Sequence, residues 1–223
     1  MSRFFNLDSP VFRSLNKIAD LIYLNVLTLI CCLPIIPIGA SMTALNYVVL
    51  KMVKNEEGYL TRSFFKSFKE NFKQATIIWM IILAVMAIMA GDFFILKYST
   101  IGFPSWIRIA LIAVAIVLIF GLMYVFPVLA RFENTIKNTF KNSFLMGILS
   151  FPKTVLMMIC WAVPVIIGIL AFQLVPLVLM LGISGPAFLC ANLYSKTFQR
   201  FEPEEETIDD SEWTVEPEEE GNK

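Results

Sequence analysis

The chain has 223 residues, of which 57% are hydrophobic and 16% charged, with a mean hydropathy of +0.72. Soluble domains carry about 25% charged residues, so the composition excludes an ordinary water-solvated globule. There is no histidine, which removes the commonest general base and the commonest metal ligand.

The formal net charge of zero hides two opposed regions. Residues 1–201 hold 17 Lys/Arg against 7 Asp/Glu, a balance of +10, and residues 202–223 hold one Lys against 11 Asp/Glu, a balance of −10. The expected domains are a helical transmembrane domain over 1–200 and a disordered, acidic, cytoplasmic tail over 201–223.

Taken in order, residues 1–17 form an interfacial lead-in. Ser9-Pro10 suits an N-cap followed by proline in the first helical turn. The basic start and the apolar run after it imitate a secretory signal. However, the run is longer than the usual 7–15 residues, so an uncleaved first helix is expected. Residues 21–50 contain no charged side chain and are divided by Pro34 and Pro37. Proline inside a helix removes a hydrogen bond and clashes with the preceding turn. The region therefore reads as helix 1, about 18–33, and helix 2, about 38–53, as two crossings or a re-entrant hairpin. Gly39, Ala40, Ser41, Thr43 and Ala44 would let another helix approach helix 2 closely.

Residues 54–73 are polar and basic, with Phe64, Phe68 and Phe72 recurring every four residues between Lys66, Lys69 and Lys73. An aromatic stripe flanked by lysines predicts an amphipathic helix in the headgroup layer. Tethering between spans disfavours a nucleic-acid patch. Helix 3 follows over about 74–96, then a loop with Pro104 and Trp106, then helix 4 over about 106–129, kinked near its end by Pro127. A second basic segment, 131–153, repeats the pattern with Phe140, Lys141 and Phe144. Its run Phe140-Lys141-Asn142-Ser143-Phe144 echoes Phe64-Phe65-Lys66-Ser67-Phe68 and hints at a duplicated half. The residues that could meet a partner or the lipid interface are thus Phe64, Lys66, Phe68, Lys69, Phe72, Phe140, Lys141 and Phe144.

Between Lys153 and Lys196 lie 42 uncharged residues, long enough for two spans at about 20 residues each. Helices 5 and 6 are expected over about 154–172 and 174–195. Gly182, Gly185 and Pro186 break the second of them. Asn25, Asn46 and Gln173 are the candidate midplane polar residues. The tail carries Glu-Pro-Glu-Glu-Glu at 202–206 and again at 216–220. It reads as a solvated segment, or as one that folds back on the basic loops or meets a basic partner, with Trp213 as its anchor.

The fold class is therefore all-α: a polytopic helical membrane protein with about six hydrophobic helices, or five if 18–50 is one bent span, plus two interfacial amphipathic helices. Short basic loops stay in the cytoplasm. Six crossings put both basic segments and both termini inside a bacterial plasma membrane. Cys31, Cys32, Cys160 and Cys190 sit in apolar runs without metal-binding or redox spacing. No Walker motif is present, and no nucleophile with a base or paired carboxylates supports an enzyme. No catalytic residue, metal or cofactor is expected.

Leu33-Pro34-Ile35-Ile36-Pro37-Ile38-Gly39-Ala40, Thr43-Ala44-Leu45 and Phe64-Phe65-Lys66-Ser67-Phe68-Lys69-Glu70-Asn71-Phe72-Lys73-Gln74-Ala75 resemble the YesL-like family of bacterial membrane proteins. Pro127-Val128-Leu129-Ala130-Arg131-Phe132-Glu133-Asn134 is similar to that family's second loop. The resemblance covers roughly residues 1–200 and brings no active site. It implies a Firmicutes-type cell membrane and genes lying beside carbohydrate uptake permeases and polysaccharide-degrading enzymes. The first functional expectation is an accessory or regulatory component of bacterial carbohydrate uptake, with the lipid bilayer and subunits of a sugar permease as partners. The alternative is a small solute transporter or channel.

Overall fold

The computed structural model describes residues 10–56, 58–98, 104–132 and 134–198. The start of the expected lead-in and the whole acidic tail lie outside the described residues. All regular structure among them is helical.

Helix α1 runs Pro10–Cys32 and α2 runs Ile38–Lys54. The break at 33–37 falls on the two prolines, as their backbone restrictions dictate. The two helices form an antiparallel hairpin. Lys17 Nζ donates to Asn55 Oδ1 at 2.9 Å, tying the start of α1 to the end of α2. Asn55 closes α2 in the left-handed region, at φ 55°, a conformation that asparagine tolerates better than most residues. The amide of Glu56 then returns to the Lys51 carbonyl at 3.0 Å.

The next element departs from expectation. The amphipathic segment and helix 3 are not two helices but one, α3, Leu60–Tyr98, of 39 residues. No Gly or Pro occurs between Leu60 and Ala90. The change from polar to apolar side chains after Gln74 alters the solvent around the helix, not its backbone. At 1.5 Å per residue α3 is about 58 Å long. Its first half lies along α2, and the turn between α1 and α2 is pinned to its middle, where Trp79 Nε1 donates to the Ile35 carbonyl at 2.9 Å.

Helix α4, Ser105–Arg131, holds Pro127 near its end, inside the helix. The second amphipathic segment is its own helix, α5, Ile136–Leu149, whose Asn138 amide is accepted by Thr135 Oγ1 at 3.4 Å. Helix α6 runs Phe151–Leu170, and a 3-10 turn at Phe172–Leu174 leads into α7, Val175–Leu181, and α8, Ser184–Phe198. The last two are bent by 47° at the expected glycine break.

Helix α2 is the hub. It packs on α3, α8 and α4, and its Gly39, Ala40, Ser41, Thr43 and Ala44 are all buried. A Cβ at Gly39 would stand 2.5 Å from the Ala75 carbonyl oxygen, so only glycine allows that approach. The main core joins Leu45, Val48, Val49 and Met52 of α2 to Phe64, Tyr124, Val128, Tyr194 and Phe198. A smaller cluster joins Ala40 to Ala75, Ile78, Val125 and Leu129.

The outside is greasy. Ile88 and Phe94 of α3, Ile109 and Val117 of α4, and Ile166 and Ile169 of α6 all face outward. Among the described residues four helices are long and apolar enough to cross a bilayer: α1 from Ser14, α3, α4 from Trp106, and α6. The bent pair α7–α8 makes a fifth if it acts as one span. The expected sixth, α2, has 17 residues, about 26 Å, and is surrounded largely by protein.

Candidate functional site

The aromatic stripes are divided between core and surface. Phe64 is fully buried against α2. Phe68 is half-buried between the two core clusters, and only Phe72 of the three is exposed. Phe140 and Phe144 are likewise half-buried. The Phe144 ring lies over Gly121 of α4, where an added Cβ would come within 2.5 Å of it. Burying these rings against neighbouring helices removes more apolar surface from water and headgroups than lying flat in an interface would. What remains outside on these segments is charge: Lys66, Lys69 and Lys141 are exposed.

The two amphipathic segments correspond in more than sequence. Ser67 and Ser143, at matching places in the two Phe/Lys runs, are both buried. Each segment pairs antiparallel with the helix before it, α3 with α2 and α5 with α4. The two helical pairs meet where Gln74 Nε2 of α3 donates to the Asn134 carbonyl in the α4–α5 turn. An open groove of about 1330 Å³ runs between them. Lys66, Lys73, Arg131 and Lys137 line it, with Glu70 as the acidic member and Phe132 at one wall. Lys66 Nζ lies 4.0 Å from Glu70 Oε1 on the same helix.

The expected midplane polar residues separate. Asn25 is fully buried and works as a cap inside the bundle. Its Oδ1 accepts from the amides of Ile183 at 3.0 Å and Ser184 at 2.8 Å, and its Nδ2 donates to the Leu179 carbonyl at 2.8 Å. A broken helix leaves unsatisfied amides and carbonyls. Asn25 reaches across from α1 to satisfy those at the α7–α8 bend. Asn46 binds a different partner: its Oδ1 accepts from the Tyr194 hydroxyl at 2.9 Å, and its Nδ2 donates to the Met42 carbonyl at 2.8 Å. Gln173 is exposed in the 3-10 turn and meets neither. A crevice of about 260 Å³ opens beside Asn46 and Tyr194, lined chiefly by apolar residues such as Met123, Phe126, Met157 and Trp161. It reaches neither Asn25 nor Gln173.

Sequence reasoning missed Tyr194, Tyr124 and Trp79. Tyr124 and Tyr194 are fully buried, and Tyr124 takes a 3.4 Å hydrogen bond from Thr154 Oγ1. The only available signal was a polar aromatic within an apolar run, which usually finds a partner when buried. Among the described residues no three His, Cys, Asp or Glu side chains converge, and the four cysteines are free thiols.

Helices with buried polar caps and lipid-facing aliphatic surfaces define an all-α polytopic helical membrane protein. Residues 21–93 match the model of a family described as "Protein of unknown function, DUF624". The match takes in the second half of α1, all of α2 and α3 as far as Phe93, with the Pro34–Pro37 turn and the first Phe/Lys segment, and it agrees with the resemblance those residues carry to an uncharacterised family. No curated protein and no solved structure matches the chain.

Proposed function

We propose that the protein is a non-enzymatic accessory or regulatory component of a bacterial plasma membrane, associated with carbohydrate uptake, with its basic end and both termini in the cytoplasm. The observation that supports an interaction role is the groove. Two phenylalanine-backed helical segments hold Lys66, Lys73, Arg131 and Lys137 around one open cleft, on elements fixed by the core. A rigid backing with charge on its outer face suits docking of another polar surface. The link to carbohydrate uptake comes from the YesL-like resemblance alone. The test is purification from the native membrane in mild detergent, which should recover a permease or ATPase subunit of a sugar uptake system. Recovery of the protein alone, under conditions that keep known membrane complexes together, counts against it.

The crevice beside Asn46 and Tyr194 favours a second reading, a small solute transporter, because it places two polar groups among apolar walls inside the bundle. Purified protein in liposomes that moves none of a panel of sugars and small solutes would remove that reading.

A further inference from the structure

The groove has a candidate occupant within the same chain. We propose that the acidic segment 202–223 docks in the groove between α3 and the α4–α5 turn and covers it. Three observations converge. The first is where α8 ends. Its last residue, Phe198, packs edge-on against Phe132 at 5.4 Å between ring centroids, and Phe132 lines the groove. Lys153 Nζ also donates to Thr197 Oγ1 at 2.6 Å, which fixes the exit point of the chain. The tail therefore leaves the bundle at the groove's edge.

The second is reach. Glu202 is four residues beyond Phe198, about 14 Å at full extension, and the second Glu-Pro-Glu-Glu-Glu run at 216–220 lies within about 80 Å. Both acidic runs can reach the groove without moving a helix. The third is charge. Among the described residues the groove lining carries four basic side chains and one acidic one, and the tail carries 11 carboxylates and one lysine. Ile77 and Ile136 in the same lining offer apolar surface to Trp213.

Exposed ion pairs are individually weak. A tethered segment, however, faces its site at an effective concentration of about a millimolar, so weak pairs suffice for occupancy. The same weakness lets an anionic competitor or raised salt release the tail, since screening acts within about 8 Å at physiological ionic strength. The tail is then an internal competitor for any acidic partner.

The full chain in nanodiscs of neutral phosphatidylcholine, treated with a zero-length carbodiimide and digested for mass spectrometry, tests this. Amide links from the tail glutamates and aspartates should fall on Lys66, Lys73 and Lys137 about three-fold or more above Lys54, Lys69 and Lys141, which lie outside the groove. In the Lys73→Gln/Lys137→Gln variant, which alters two exposed side chains, the remaining link to Lys66 should fall about three-fold. Links spread evenly over all these lysines overturn the proposal. So do links found only between isotopically light and heavy copies, which give the tail to a second molecule. The absence of any tail link to Lys66, Lys73 or Lys137 in the neutral nanodiscs also overturns it.

Discussion

At the scale of single residues, the bundle depends on positions whose neighbours forbid alternatives. At Gly39 an added Cβ meets the Ala75 carbonyl at 2.5 Å and Trp79 Cβ at 2.8 Å. These are rigid backbone and a side-chain root, so α2 and α3 would have to move apart. Gly39→Ala gains at most about 1 kcal/mol in helix propensity against an overpacking cost of about 1–3 kcal/mol, and the clash should win. Thermal unfolding in detergent should show a lower midpoint for Gly39→Ala. Gly91→Ala, where nothing lies within 4 Å, should leave the midpoint unchanged or raise it. Asn25 is the other critical position. Asn25→Val removes the three hydrogen bonds that close the α7–α8 bend. At about 0.6 kcal/mol per bond between membrane helices the loss is about 2 kcal/mol, readable as a drop in the same midpoint. An Asn25→Val protein as stable as the parent would mean that the bend closes without its cap. Sequence reasoning singled out Asn25 as a polar residue in an apolar run. It could not name the role, because the amides it binds belong to residues 158 and 159 positions away.

At the scale of elements, periodicity identified the amphipathic segments but not their orientation. A Phe every four residues flanked by lysines has the same spacing whether the rings face lipid headgroups or a neighbouring helix. The structure turns Phe64 wholly inward and leaves Phe72 40% exposed. Phe64→Ala should therefore cost about 3–5 kcal/mol, as for other buried rings, and Phe72→Ala should cost much less. Comparable losses at the two sites, measured by denaturant or thermal unfolding, would return the stripe to the interface. The merging of the first segment with helix 3 has a related cause. A polarity change marks where water meets lipid, while a helix ends only where the backbone is interrupted. Pro34 with Pro37, and Gly182, interrupt it and were legible. Lys73-Gln74 does not, and the boundary expected there is absent.

For the whole molecule, the arrangement of α3 and α4 leads to a prediction of sidedness. Trp79 meets Phe126 at 6.4 Å between ring centroids, and from Trp79 to Tyr98 α3 continues for about 28 Å, close to the roughly 30 Å thickness of a bilayer's hydrocarbon core. The turns that lead into the lysine-bearing starts of α3 and α5, marked by Tyr59 and Thr135, should lie on one side, and Pro104 at the start of α4 on the other. In a cysteine-free background, Tyr59→Cys and Lys137→Cys should react with an impermeant maleimide from the same face of sealed vesicles, and Pro104→Cys from the opposite face. Labelling of Tyr59→Cys and Lys137→Cys from opposite faces would refute the arrangement. The sequence by itself determined the solvent, the helical class and the positions of the main breaks, because apolar length and the backbone limits of proline and glycine are local properties. Only the tertiary structure decided that α2 is the hub, that the phenylalanine faces point inward and that the basic residues of two segments share one groove. Those outcomes rest on contacts such as Asn46 with Tyr194 and Phe132 with Phe198, between residues so far apart in the chain that no spacing rule connects them.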